Sequence, residues 1–223
     1  MLGNSLKQIS TVGISPKSYN NKYGVPLSLF NLDQKNNYGV LEIGMDKKGE
    51  IDYLSKIVKP DVSVITNINY AHAKNFKNIK QIALAKSEII NNTKINGFVV
   101  LNADDNFYTL HKKIANKRKL KILSFGIDNQ NANIKLVSIK KISNKFKATV
   151  RVNNLKTYFF ISNNFQNNIL NILAALAVMS VFINISKLKK NIFIGFKIPE
   201  GRGDITKIEI NNKKLNLIDE SYN

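Results

Sequence analysis

Val40-Leu41-Glu42-Ile43-Gly44-Met45-Asp46-Lys47-Lys48-Gly49-Glu50-Ile51, followed by Asp61-Val62-Ser63-Val64-Ile65-Thr66-Asn67-Ile68 and Ala71-His72, is the stretch whose reading decides the fold. Two apolar runs each end in polar, metal-seeking groups. Between them the chain reads as a helix over 50–58, stopped by Pro60 because a proline cannot continue the helical hydrogen-bond ladder. Strands without polar alternation, separated by helices, imply a parallel sheet covered on both faces. Open sheets of this kind bind ligands at the carboxyl ends of their strands.

Working outward, the same alternation continues in both directions. Strands are expected at 10–14, 38–43, 62–66, 98–102 and 120–125, and helices at 2–9, 25–32, 50–58, 79–91 and 106–115, with Pro26 in the first turn of its helix. The pattern changes at Asn133. Three consecutive strand-like segments, 134–142, 146–152 and 155–161, are joined by Asn-bearing turns and predict an antiparallel meander appended to the parallel sheet. Helices follow at 166–183 and 187–196; Pro199 and the Gly201-Arg202-Gly203 turn punctuate the chain, and 205–210 with 215–218 read as a hairpin opening a new domain. The fold class expected is α/β: a mostly parallel sheet flanked by helices with a small antiparallel sheet appended.

Composition bounds the function. With 43% hydrophobic residues, 223 residues can bury a sizeable core in one substantial domain plus a remnant. The absence of cysteine removes disulfides and thiolate zinc sites, which suits an intracellular setting. The most apolar run, 169–185, is interrupted by Asn171, Ser180 and Asn184 and falls short of the roughly 20 apolar residues that span a bilayer. It reads as a buried helix. A net charge of +19 raises the question of nucleic acid, yet only three of the 34 basic residues are Arg (Arg118, Arg151, Arg202). Bidentate recognition of phosphates and bases favours Arg, and the lysines are spread along the whole chain beside abundant Asn and Ile, as codon bias toward A and T would produce. No nucleic-acid partner is therefore expected.

Several residues stand out on their own chemistry. Glu42 ends an apolar strand, where a carboxylate is costly unless it is paired or binds a cation; a strand-end Glu held by a Lys is the plain alternative. His72 lies in the loop beyond 62–66, at the ligand-bearing edge, and would otherwise be a loop histidine without a role. Lys86, in Ala83-Leu84-Ala85-Lys86-Ser87-Glu88-Ile89, would ordinarily be a solvated cation, and a cation cannot ligate magnesium. Glu88 reads as a surface or helix-pairing carboxylate, and His111 is assigned no function. Asn168 and Asn171, three apart, share one face of the long helix, where either could serve as a cap. Arg202 suits a developing phosphoryl charge and Asp219 a ribose hydroxyl, against the alternatives of a turn Arg and a strand-end Asp.

Taken together these motifs resemble the central domain of the Mur ligases, in the branch that adds D-alanyl-D-alanine to a UDP-N-acetylmuramoyl tripeptide. Gly44 and the Gly49-Glu50-Ile51 turn favour that branch. The resemblance covers essentially the whole chain, and it implies roles for named residues. Glu42, His72 and Lys86, the last as a CO₂-derived carbamate, would hold magnesium. Asn20 and Asn21, ahead of Gly24-Val25-Pro26-Leu27, would lie near the substrate and the nucleotide phosphates. Asn168 would contact adenine, and Arg202 and Asp219 the rest of ATP. The match is imperfect: Lys74 and Lys77 stand where the family tends to show an acidic residue and a Gly, Asn167 replaces a His, and Glu220 replaces a second Asp.

The family also carries a phosphate loop, GxxxxGK[ST], just upstream of this region, and no Gly in these 223 residues is followed by Lys. The expectation is a fragment lacking the N-terminal domain, the phosphate loop and most of the C-terminal domain. Residues 1–199 would be the central ATPase domain and 200–223 the start of the next. The implied parent is a cytoplasmic, monomeric, ATP- and magnesium-dependent amide-bond ligase of peptidoglycan precursor synthesis, with UDP-N-acetylmuramoyl-tripeptide and D-alanyl-D-alanine as partners and no membrane span. The fragment alone would be inactive. The alternatives are a non-catalytic remnant or binding module of the same fold, or another Mur or folylpolyglutamate-type ligase.

Overall fold

The computed structural model describes residues 1–16, 18–70, 75–162, 168–196, 204–210 and 213–219. In chain order the elements are α1 (Leu2–Lys7), β1 (Val12–Ile14), α2 (Gly24–Phe30), β2 (Tyr38–Val40), α3 (Glu50–Val58), β3 (Val62–Ile65), α4 (Ile79–Lys86), α5 (Glu88–Asn91), β4 (Phe98–Asn102), α6 (Tyr108–Lys117), β5 (Lys121–Gly126), β6 (Ile134–Ile142), β7 (Lys145–Val152), β8 (Leu155–Ser162), α7 (Ile169–Phe182), β9 (Asp204–Ile210) and β10 (Lys213–Asp219). β1 and β2 form a parallel pair. The main sheet has six strands in the order β3-β4-β5-β6-β7-β8. Its first four are parallel neighbours, and β6, β7 and β8 pair antiparallel. The meander expected from the sequence thus extends the parallel sheet, as the mixed α/β class requires.

Side-chain alternation explains why β4 is apolar throughout. Val100 faces a cluster built from α7, α1 and the inner face of the meander, with Leu173, Leu176, Phe125, Val150 and Phe159 fully buried. Its neighbours Val99 and Leu101 face the opposite cluster with Ile82, Ile90 and Ala115 from α4, α5 and α6. Both faces of the sheet are therefore covered at β4, and no position of that strand can be polar without cost. α7 packs across β3, β4, β5 and β6, which accounts for its apolar character all round. Among the described residues no helix is long and apolar enough to cross a membrane.

Two departures from the sequence reading have local causes. The helix expected over 79–91 breaks at Ser87, whose hydroxyl donates to the Leu84 carbonyl at 2.7 Å and competes for the acceptor of the next helical turn. The helix expected over 187–196 does not form. A 3-10 turn at Ile185–Lys187 leads instead into a segment lying along β8: the Phe160 amide donates to the Lys190 carbonyl at 2.7 Å, and Ile161 bridges Phe193. Phe193 is fully buried against Phe159, with ring centroids 5.4 Å apart, so its burial follows the sheet edge rather than a helical face. β9 and β10 pair antiparallel as a separate two-stranded sheet, as expected for the hairpin.

Candidate functional site

The polar groups at the carboxyl ends of the parallel strands fall into two clusters. The first is built at the ends of β1 and β2. Glu42, two residues beyond β2, receives the Asn20 side-chain amide at 3.0 Å, and its own amide donates to the Ser15 hydroxyl at 3.1 Å. Asn20 also fixes the loop through its carbonyl, which accepts from the Gly44 amide at 2.7 Å. A Cβ at Gly44 would stand 3.0 Å from the Asn20 side chain, so any larger residue there would push that side chain aside by a few tenths of an ångström. Asn21 acts differently from Asn20: its side-chain oxygen accepts from the Tyr23 and Gly24 amides at 3.0 Å each and anchors the start of α2. The Glu42 carboxylate is exposed, and among the described residues its hydrogen-bond partner is a neutral amide and not the Lys that the plain alternative supposed. An oxygen so presented has the chemistry that a hard divalent cation takes.

The second cluster lies at the ends of β3 and β4. Lys86, the last residue of α4, is half-buried and donates from Nζ to the Asn67 carbonyl at 3.1 Å. Burial pushes its ammonium below the ordinary value, and the nearby Asp105 carboxylate opposes that shift. Asp105 ties the cluster together: one carboxylate oxygen accepts from the Ile68 amide at 2.9 Å, the other from the Phe107 amide at 2.8 Å at the start of α6. His111, on α6 and only 2% exposed, contacts the Ala83 carbonyl through Nε2 at 3.0 Å, one turn before Lys86 on the same helix. Burial lowers its pKa; the Ala83 carbonyl and Asp105 raise it, and Lys86 lowers it further.

Asp104 and Asp105, directly after the strand end at Asn102, are functional-site candidates that the sequence reading did not single out. Asp104 accepts from the amides of Ile127, Asp128 and Asn129 beyond β5. Their signal was the tandem of carboxylates in Asn102-Ala103-Asp104-Asp105 at a strand's carboxyl end, the same position that marked Glu42. Glu88 also has a definite place: its carboxylate accepts from the Gly49 and Asp52 amides at the start of α3.

The remaining expected site residues are placed as follows. His72 and Arg202 lie outside the described residues. Asn168 precedes α7 without capping it by its side chain and accepts from the Asn171 amide at 3.2 Å, so the two share a face as their spacing predicted. Asp219 ends β10, paired in register with Asp204. Among the described residues no three His, Cys, Asp or Glu side chains converge as a metal site would require. The set implied by the resemblance draws only Glu42 from that group, since His72 is not described and Lys86 enters as a modified amine.

A parallel sheet with polar groups gathered at the carboxyl ends of its strands, a lysine half-buried among them and an antiparallel meander continuing the sheet define an α/β domain whose polar groups lie where open sheets of this class place ligands. Residues 1–179 match the Mur ligase middle domain, and the chain belongs to that family. It is 31% identical over 224 residues to the UDP-N-acetylmuramoyl-tripeptide--D-alanyl-D-alanine ligase of Buchnera aphidicola subsp. Baizongia pistaciae, a match covering 100% of this chain and 47% of the relative. Among solved structures it superposes on MurF from Acinetobacter baumannii with a TM-score of 0.86 at 26% identity, covering 100% of this chain and 47% of that one. With MurF from Thermotoga maritima, whose crystal structure is a complex with ADP, the TM-score is 0.83 at 27% identity, covering 100% of this chain and 49% of the other. The chain thus spans just under half the length of the relatives it matches.

Proposed function

We propose that this chain supplies the central domain of an ATP- and magnesium-dependent ligase joining D-alanyl-D-alanine to UDP-N-acetylmuramoyl-tripeptide in the cytoplasm. Residues 1–199 form that domain and 200–223 begin the next, a division supported by the separate sheet of β9 and β10. The observation that carries the reading is the placement of Glu42 just beyond β2 and of Lys86 on the Asn67 carbonyl just beyond β3, each past the carboxyl end of a parallel strand, in a chain that is similar to D-alanyl-D-alanine-adding enzymes over its whole length.

In the reaction the tripeptide's terminal carboxylate oxygen attacks the γ-phosphorus of ATP, forming an acyl-phosphate and releasing ADP. The dipeptide's amine then adds to the acyl carbon, and the tetrahedral intermediate expels phosphate as the amine proton passes to solvent or a base. Magnesium, when bound, neutralises charge on the phosphates. Glu42 offers its exposed carboxylate to that ion, oriented by Asn20. Lys86 joins it once its Nζ lone pair has added to CO₂, giving a carbamate and a released proton. That addition needs the neutral amine, and burial moves Lys86 toward it. His72 completes the set. Asn168, Arg202 and Asp219 bind the nucleotide, and Asn20 and Asn21 border the substrate. The Asn67 carbonyl holds the Lys86 side chain at the strand ends, and the Asp105 carboxylate, fixed by the Ile68 amide, bears on its charge from nearby.

The test is to replace the aligned segment of the full-length Escherichia coli relative with residues 1–223 and follow ADP formation. Release that requires ATP, magnesium, the UDP-linked tripeptide and D-alanyl-D-alanine together supports the reading. A folded chimera whose ADP release ignores the dipeptide overturns it. The 223-residue chain alone is expected to give the buffer blank, since the lysine and amides of a phosphate loop are not among its residues.

A further inference from the structure

α3 begins without a cap of its own. Its N-cap position is Gly49, with φ +90° and no side chain to accept a hydrogen bond from the first turn. The acceptor comes instead from a distant element: Glu88 receives the Gly49 amide at 2.9 Å on Oε1 and 3.1 Å on Oε2, and the Asp52 amide at 3.1 Å on Oε2. A carboxylate there meets both the unpaired amides and the positive end of the helix dipole. Glu50, the first residue of α3, turns back to accept from the Asp46 and Lys47 amides at 2.6 and 3.0 Å, so the loop beyond Glu42 is pinned to the same helix start. These two amides, ahead of the lysine charges, hold the Glu50 carboxyl below its usual range.

Glu88 stands two residues beyond Lys86, across the break at Ser87. The break sets α4 and α5 apart, so that Lys86 reaches the Asn67 carbonyl while Glu88 reaches α3. We infer that Glu88 is a positioning residue: through the amides of Gly49 and Asp52 it locks the loop carrying Glu42 to α5, which follows directly on Lys86 at the end of α4, so the two candidate ligand residues are set as one unit. This rests on the functional reading above only for its consequence, not for its geometry. The Asn92 side chain of the next turn also bonds the Asp52 carbonyl and carboxylate at 3.2 and 2.9 Å and keeps α3 against α5, so Glu88 acts at an interface that is already packed.

The experiment compares the unmodified protein with Glu88→Gln, Glu88→Ala and Ser55→Ala. Ser55 is buried in α3, bonds Ile51 and Asn92 but neither Glu88 nor the amides Glu88 receives, and serves as a control for a loosened α3–α5 contact that keeps the Glu88 acceptor. In the 223-residue chain, amide exchange at Gly49, Asp52, Asp46 and Lys47 should quicken about tenfold or more in Glu88→Ala, the cost of losing a charged acceptor, and by less than about threefold in Glu88→Gln, whose carbonyl oxygen can still accept from both amides. This readout needs no turnover. In the full-length chimera the half-saturating magnesium concentration should rise about tenfold in Glu88→Ala, recover in Glu88→Gln, and stay unchanged in Ser55→Ala, with KM for the dipeptide constant throughout. Unchanged exchange at Asp46 and Lys47 in Glu88→Ala overturns the inference, as does an equal magnesium shift in Ser55→Ala. A chimera without ligase turnover would instead count against the proposed function and leave the exchange result to decide the role of Glu88.

Discussion

The parallel and antiparallel halves of the six-stranded sheet are made from the same kind of residue yet present different surfaces. Parallel strands all end at one edge, so whatever polar residue follows each strand is delivered to the same place: Asn67 and Ile68 after β3, Asp104 and Asp105 after β4, and the amides beyond β5 that Asp104 gathers. In β6, β7 and β8 successive strands end at opposite edges. Their polar residues stay on the sheet face, where Lys145 lies 3.9 Å from the Phe160 ring centroid and Lys147 lies 4.2 Å from that of Tyr158. Strand direction, more than residue type, decides which half can assemble a site. In the meander, cations cover partly buried aromatic rings; at the parallel edge, a cation is drawn inward onto a backbone carbonyl, with a carboxylate nearby.

The sharpest way to break this comparison is at Lys86. In the full-length chimera Lys86→Ala should lower turnover by about 10²- to 10³-fold, the usual cost of removing a charge stabiliser from a phosphoryl-transfer site. Added acetate should restore part of the rate by supplying the missing oxygen, and Lys86→Arg should remain inactive because a guanidinium neither adds CO₂ readily nor ligates a cation. Partial activity in the Arg variant with no acetate effect would make Lys86 a simple phosphate-binding cation.

A smaller effect, on stability, separates the two halves by depth. Phe159, fully buried on the inner face of β8, should cost about 3–5 kcal/mol when changed to Ala, read from the urea midpoint. Phe160, its neighbour on the outer face, should cost far less, because only the lysine contact and partial burial are lost. Equal losses would mean that the meander buries both faces.

His111 gives the next effect. Its pKa is lowered by burial, so it is neutral in the folded chain, and the stability this brings is present above its ordinary value of 6.5 and lost as pH falls through its lowered folded value. Between pH 7 and about pH 5 the unfolding midpoint should decline, and His111→Gln should flatten that decline at some cost in stability at neutral pH. The charged groups that bear on His111 are Asp105 and Lys86, so a decline of the same size in His111→Gln would assign the acid sensitivity elsewhere.

The smallest effect concerns the charge of +19. Binding of duplex DNA should be weak, indifferent to sequence and lost near about 0.2 M salt, as when phosphate contacts alone supply affinity. A tight, sequence-selective complex at that salt would make the basic meander a site in its own right.

Much of this arrangement was legible in the residues. β4 and β6 fall on the segments that their apolar content marked, and α3 is bounded by signals that act locally, Pro60 at one end and Gly49 at the other. What the sequence concealed depends on contacts between distant elements. Ile185, Leu188 and Ile192 recur in a way that suits a helix, but pairing of the Lys190 carbonyl with β8 wins the backbone for the sheet edge. Ser87 looks unremarkable until its hydroxyl is seen on the Leu84 carbonyl. Glu88 reads as a surface carboxylate because its partners, the amides of Gly49 and Asp52, are nearly 40 residues away, |i−j| being 39 and 36. Asp105 was hidden for the same reason, its acceptors joining the loop after β3 to the start of α6. Glu42 was visible because a carboxylate after an apolar run is a local signal, but the cost expected of it is not met: β2 ends at Val40, and Glu42 stands exposed two residues beyond it.

The central claim, that function resides at the carboxyl edge of the parallel strands and not on the basic meander, is tested most directly by dipeptide-dependent ADP formation in the full-length chimera. The variants compared are Glu42→Gln, at that edge, and the double variant Lys145→Ala/Lys147→Ala, on the meander. The account predicts that Glu42→Gln loses about 10²-fold or more while the double lysine variant stays within about twofold of the parent. Turnover that survives Glu42→Gln and falls in the lysine variant would contradict it.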